Sequence, residues 1–293
     1  MGLILDGKVT SEKIKNELHA KIVLTPEKYG RKPGLATILV GADPGSEIYV
    51  GMKIKACDRV GIYSEYIHLP EDCTYTHLVD TIQTLNSKEE IDGILLQLPL
   101  PSHLRAQTDD IVQKISSHKD VDGLSPYTMG LTNMGDETYT AATPKGMIRL
   151  LEEYKIEIRG KEVVIINRSI IIGKPLVMMF LKRNGTVTVC HTKTKDIDFH
   201  MKRADILVTG VGKANFVTAD RIKDGVVYLD AGINRDGNGK LCGDADFEGI
   251  KNKCSAITPV PGGVGPMTIA MLMENTYLSF LKRVKKKRLE RFN

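Results

Sequence analysis

The chain has 293 residues, 42% hydrophobic and 26% charged, with a formal net charge of +5. That length and balance fit one large or two ordinary globular domains and exclude a disordered or collagen-like chain. The charge is concentrated between Lys282 and Arg291, where seven basic residues accompany Glu290, so the remainder is close to neutral.

In chain order, Leu35–Val40 reads as a buried strand, Pro44–Val60 as a helix, Tyr63–Leu69 as a strand and Thr76–Leu85 as a helix. Asp92–Leu98 reads as a third strand, stopped by Pro99 and Pro101. A second series follows: strand 163–166, helix 173–183, strand 186–189, helix 197–203, and strands 205–209 and 226–230. Thr268–Leu281 has apolar residues at helical spacing. Strands alternating with helices predict parallel sheets. The polar, turn-rich stretch 130–143 marks a domain boundary between two α/β units.

No apolar run reaches the roughly 18 residues of a membrane span, and no secretion signal opens the chain. Five widely spaced cysteines without a CxxC pair suit a reducing, cytoplasmic setting. Seven histidines form no HxxxH or HExxH cluster, so no metal is expected. The basic tail reads as a solvated helix end suited to the helix dipole. It has no interleaved aromatics to stack on nucleic acid.

Six of the eleven residues from Thr258 to Thr268 are Pro or Gly and none is charged. Such a run is neither helix interior nor central strand. It fits a rigid loop pressed by its backbone against a flat ligand and, equally, an interdomain elbow.

Tyr49 and Lys53 lie four apart on one helix face. A ring beside an amine suits a flat substrate and proton transfer, provided burial or a cation lowers the lysine from its ordinary pKa of about 10.4. A surface lysine lying along a ring fits the pair as well. Gln97 ends a strand, where parallel sheets bind ligands. In Lys119-Asp120-Val121-Asp122-Gly123, Asp120 reads as a turn or cap residue, and Asp122 suits the N–H groups of an aminopyrimidine.

Asn167-Arg168-Ser169 through Gly173 sits where a strand passes into a helix, the place for a nucleotide phosphate. Arg168 and Ser169 suit a ribose 2′-phosphate, although GxGxxG is absent. Thr192, after the next strand, suits the same phosphate, or Thr192 or Thr194 caps a helix. Gly232, in Leu229–Asn234, lets a ring approach the backbone.

Taken together, YVGMK (49–53), DGILLQLPLP (92–101), KDVDG (119–123), TPKG (143–146), RSIIIGKP (168–175) and TPVPGGVGPMT (258–268) resemble the bifunctional methylenetetrahydrofolate dehydrogenase/cyclohydrolases. The resemblance implies a two-domain α/β fold with mostly parallel sheets and flanking helices, separated by a cleft. Residues 1–140 plus 268–293 would form a discontinuous folate-binding catalytic domain, and 141–267 a Rossmann-like NADP-binding domain.

It further implies NADP-dependent oxidation of 5,10-methylenetetrahydrofolate, then hydrolysis to 10-formyltetrahydrofolate, in the one-carbon metabolism that feeds purine biosynthesis. Lys53, Gln97 and Tyr49 would be catalytic. Tyr49, Lys53, Leu96, Gln97, Leu98, Asp122 and Pro261, Gly262, Gly263, Val264 and Gly265 would contact folate. Asn167, Arg168, Ser169, Gly173, Thr192 and Ile233 would hold NADP. The expected partners are tetrahydrofolate derivatives and a second copy of the chain, with neither nucleic acid nor membrane.

Three positions depart from the family pattern: Asn167 for a usual Gly, Ala141-Ala142 before Thr143-Pro144, and Thr192 for a usual Ser. Asn tolerates a positive φ, but its side chain crowding the cofactor would impair the dehydrogenase and leave a cyclohydrolase. A non-catalytic nucleotide- or nucleic-acid-binding protein is the remaining alternative. It has no need of a tuned lysine.

Overall fold

The computed structural model describes residues 2–290, apart from the side chains of Lys287, Arg288 and Glu290. The basic-tail expectation for 287, 288 and 291 therefore lies outside the described residues. The first half of the chain runs β1 (Leu3–Ile4), α1 (Gly7–Ile22), α2 (Thr25–Tyr29), β2 (Gly34–Val40), α3 (Pro44–Val60), β3 (Tyr63–Leu69), α4 (Tyr75–Ser87), β4 (Gly93–Leu96), α5 (Thr108–Gln113) and α6 (Pro126–Asn133). The second half continues α7 (Ala142–Glu153), β5 (Glu162–Ile166), α8 (Gly173–Lys182), β6 (Thr186–Cys190), α9 (Ile197–Arg203), β7 (Ile206–Thr209) and β8 (Val227–Asp230). It closes with β9 (Asn234–Arg235), β10 (Leu241–Cys242), α10 (Phe247–Ile250), β11 (Ala256–Ile257) and α11 (Val264–Glu290).

Two compact units emerge. One comprises Glu12–Leu131, Thr138–Ala142 and Ile269–Asn293, the other Met1–Ser11, Thr132–Glu137 and Thr143–Thr268.

In the first unit, β2 lies between β3 and β4, all parallel. Every β2 residue is buried, which is why Leu35–Val40 reads as a buried strand. Asp43 caps α3 by accepting from Ser46 N at 2.8 Å, Pro44 opens the helix, and Gly61 closes it at φ +87°. Thr74 caps α4 through His77 N. The core includes Ile38, Leu78, Ile82, Ile94 and Ile111. Residues 119–121 continue the sheet beyond β4: Ile94 pairs with Asp120, and Ile94 N donates to Lys119 O at 2.8 Å. Asp92, fully buried, accepts two bonds from Arg31 and one each from Arg283 and Gly34 N. Arg283, one of the basic residues assigned to a solvated tail, is thus held inside, and Lys282 lies over the Tyr139 ring at 5.3 Å.

The second unit holds a six-stranded parallel sheet in the order β1-β11-β8-β7-β5-β6, plus an antiparallel pair, β9 and β10. Its core includes Val164, Leu207, Tyr228 and Ile257.

The compact units and the last helix differ from the sequence reading in three places. Residues 1–11 do not group with the unit that holds Lys53, because Leu3 and Ile4 pair with Ala256 and Ile257 as an edge strand of the six-stranded sheet. Residues 132–137 likewise belong to the six-stranded unit. The last helix starts at Val264, not Thr268; Pro266 falls in its first turn, where a missing N–H breaks no helical bond.

Candidate active site

The carboxyl ends of β2 and β4 are drawn together where Gln97 N donates to Ile38 O at 2.9 Å. Gln97 leaves the sheet there, and its Nε2 donates to Leu98 O at 2.8 Å. That bond commits the amide nitrogen and leaves Oε1 to accept from Lys53 Nζ, also at 2.8 Å. Lys53 is half-buried on α3, one turn after Tyr49. Desolvation pushes the Lys53 amine below the ordinary lysine value, and the charge of Asp122 opposes this in part. Asp122 is pushed up by burial, pulled down by Lys53 and raised again by Asp120. Both members of the pair thus move towards their neutral forms, because each leaves water for a shared low-dielectric site.

Asp122 is placed by its neighbours. The Asp120 carboxylate accepts from the backbone N–H groups of Gly123, Leu124 and Ser125 and from Thr128 Oγ1. Gly123 has φ +72°, and a Cβ on it would lie 2.3 Å from Tyr139 O. Asn275 donates to Val121 O at 2.9 Å. Of the two expectations, turn or cap, Asp120 meets the first: it holds the 123–125 turn, while Ser125 Oγ accepts from Thr128 N at the start of α6, and Asn275 is a positioning residue that no local pattern marks. Lys119 donates to Leu85 O and Lys88 O, so its buried amine, lowered to about 8, closes the end of α4.

Tyr49 is 36% exposed, which leaves ring surface for a ligand. Leu98 is half-buried against the core. Leu96 is 4% exposed, so its side chain is core and only its backbone is open to the contact expected of it. Around the Pro/Gly run, Lys8 N donates to Gly262 O at 2.9 Å. Gly262 has φ +112°, while a Cβ on Gly263 would lie 2.6 Å from Pro259 O. Gly263 is therefore required by the loop's own packing. Pro261 is exposed; Val264, buried, and Gly265, exposed, form the first turn of α11.

On the six-stranded sheet, the expected nucleotide residues sit on turns that follow β5, β6 and β8. A Cβ on Gly173 would lie 2.0 Å from Asn167 O, so α8 begins pressed against the end of β5, as a dinucleotide turn requires. Arg168 and Thr192 are exposed, and Ile233 is 57% exposed after the buried Gly232. A guanidinium, a hydroxyl and an open apolar side chain, each after the carboxyl end of a strand of one sheet, suit a phosphorylated dinucleotide with a flat ring. Two local expectations change. Asn167 is not among the positive-φ residues; its side chain bonds within the turn. Asp196 caps α9, while Thr194 Oγ1 accepts from His191 N.

A family model described as the tetrahydrofolate dehydrogenase/cyclohydrolase catalytic domain matches residues 5–122, and its NAD(P)-binding domain matches 141–284. The chain belongs to the tetrahydrofolate dehydrogenase/cyclohydrolase family. It is 49% identical to the bifunctional protein FolD of Nautilia profundicola over 96% of this chain and 99% of that one. Identity to the Sulfurihydrogenibium sp. bifunctional protein FolD is 50%, covering 96% and 98%. Among solved structures, the Campylobacter jejuni bifunctional FolD superposes with a TM-score of 0.93 at 46% identity, covering 97% of this chain and all of that one. The Trypanosoma brucei FolD, solved with NADP cofactor and an inhibitor, gives 0.92 at 33% identity, covering 97% and 98%.

Among the described residues no group of three or more His, Cys, Asp and Glu side chains could hold a metal ion, and no helix is long and apolar enough to cross a membrane.

Proposed function

We propose that the protein catalyses NADP-dependent oxidation of 5,10-methylenetetrahydrofolate to the 5,10-methenyl cation, followed by hydrolysis to 10-formyltetrahydrofolate. The observation that carries this reading is the Lys53–Gln97 bond beside Asp122. Tyr49 stacks on the folate, and the Asp122 carboxylate accepts from its aminopyrimidine N–H groups. NADP, held by Arg168, Thr192 and the 167–173 turn, supplies a hydride-accepting nicotinamide when bound. Orientation, not a protein base, is what that step asks of the chain.

In the second step water adds to the methenyl carbon. As the C–O bond forms, the Lys53 amine accepts a proton from the water. When the carbon–N5 bond then breaks, the Lys53 ammonium gives its proton to N5, and the remaining hydroxyl proton passes to solvent as the formyl carbonyl forms. Lys53 must be neutral to start, and three influences favour that: burial, the cationic substrate, and a Gln97 partner that carries no negative charge. Gln97 aims the amine.

The Pro261–Gly265 segment contributes backbone, not side chains, to ligand contact. The chain works as a homodimer, as the family resemblance implies, and in a reducing compartment, which its five free thiols support.

One preparation tests the activity. Reduced nicotinamide is followed from 5,10-methylenetetrahydrofolate with NADP and, in parallel, NAD; decay of the methenyl chromophore is then followed without nucleotide. Faster reduction with NADP and enzyme-dependent decay are expected. Decay at the uncatalysed rate would sink the cyclohydrolase assignment. Light scattering on the same sample reads the dimer.

A further inference from the structure

In the six-stranded sheet the chain leaves β5 for β6 on one side and returns on the other side as β7. The carboxyl ends of β5 and β7 therefore flank the topological switch point, where open α/β sheets hold their ligands. Asn167 follows β5 and Gly210 follows β7. The Asn167 side chain spans that point: Nδ2 donates to Gly210 O at 2.7 Å. Its Oδ1 accepts from Ser169 N at 2.9 Å, Ser169 Oγ at 2.7 Å and Gly173 N at 3.1 Å. Three donors on one end and a carbonyl on the other admit one amide orientation.

The Gly210 side is itself braced. Asp244 accepts from the N–H groups of Val211, Gly212 and Lys213 and from Asn234 Nδ2. That carboxylate ties the turn after β7 to Asn234 at the start of β9. Asn167 joins the β5 turn to the same frame. A Cβ on Gly210 would lie 3.2 Å from Asn167 Nδ2, so the two turns are also in close packing.

We propose that Asn167 is the positioning residue of the nucleotide crevice, presetting the 167–173 turn across the switch point, and that the Ser169 hydroxyl serves this bridge rather than the cofactor phosphate. The hydroxyl has one proton, and it is directed at Asn167 Oδ1; its oxygen accepts from Ile172 N at 3.1 Å. None is left for a phosphate oxygen. Discrimination for a 2′-phosphate then falls to the exposed Arg168 on this turn. The proposal rests on reading this unit as nucleotide-binding.

The test is equilibrium titration of the folate-free full chain with NADP and with NAD, for wild type and for N167A, N167D, S169A and R168A. Because Asn167 acts on the turn, N167A weakens both nucleotides by the same factor, about tenfold, equivalent to roughly 1.4 kcal/mol. N167D keeps the acceptor but places a carboxylate oxygen against Gly210 O, and loses as much. S169A weakens both equally; R168A weakens NADP alone. In steady state the N167A KM for NADP rises by a larger factor than kcat falls, and a thermal melt of the same variant reports that the chain is folded. Unchanged or tighter binding by N167A, wild-type affinity in N167D, or a loss confined to NADP in S169A would each overturn the proposal. A wild-type chain that binds neither nucleotide would instead sink the nucleotide reading beneath it.

Discussion

Lys53 Nζ donates to Gln97 Oε1 at 2.8 Å, and the nitrogen of the same amide is committed to Leu98 O at 2.8 Å. The second bond gives the first its meaning. An amide with its N–H end occupied presents an oxygen to the lysine, so Gln97 steers the amine without adding a negative charge beside it.

Replacing Lys53 by Met keeps much of the stem and removes the amine. Cyclohydrolase turnover should fall by about a thousandfold, within the range for losing a proton-transfer group. The folate dissociation constant, measured by fluorescence quenching, should stay within a few-fold. Retained methenyl hydrolysis would remove Lys53 from the chemistry.

The pH profile carries a sign. Burial lowers the Lys53 pKa, so the neutral amine, and with it cyclohydrolase kcat, grows as pH rises through a value below that of free lysine. Gln97→Glu sets a carboxylate against the amine, favours the ammonium and moves the rise to higher pH. Asp122→Asn removes the charge that opposes the lowering and moves it to lower pH, with a raised KM for folate. Profiles of kcat against pH for the three proteins check both directions, and superimposable curves would exclude titration of Lys53.

Glycines in the Pro/Gly segment should separate into two kinds. Gly263→Ala places a Cβ 2.6 Å from Pro259 O and 2.7 Å from Thr258 Cβ, so the melting temperature should fall with or without ligand. An added Cβ on Gly265 meets nothing within 4 Å. Gly265→Ala should leave the melting temperature intact, since Ala favours a helix. Calorimetry with and without ligand distinguishes the two.

Asp92 anchors two arginines from inside the sheet. Asp92→Ala leaves Arg31 and Arg283, which are 28% and 19% exposed, without their carboxylate. The cost should be about 3 kcal/mol, as for other broken buried pairs, read as a lower urea midpoint.

Much of the fold was legible because its signals are local. Burial of β2 on both faces writes the largely apolar run at 35–40, and the cap Asp43 with Pro44 writes the start of α3. Lys53 and Tyr49 were legible as an i, i+4 pair, and Gln97 as a strand end before proline. Asn275 was not, because its role is set by two carbonyls, Val121 O and Thr140 O, more than a hundred residues away in sequence.

By itself the sequence determined the alternation of strands and helices, the motif set and the family resemblance, since each is carried by spacing along the chain. Only tertiary structure decided that Leu3–Ile4 completes the six-stranded sheet, that Gly263 is held by its own loop, and that Asn167 reaches Gly210 instead of taking a positive φ. Two-residue strands and single long-range hydrogen bonds have no periodicity, so they become definite only when packing brings their partners within bonding distance.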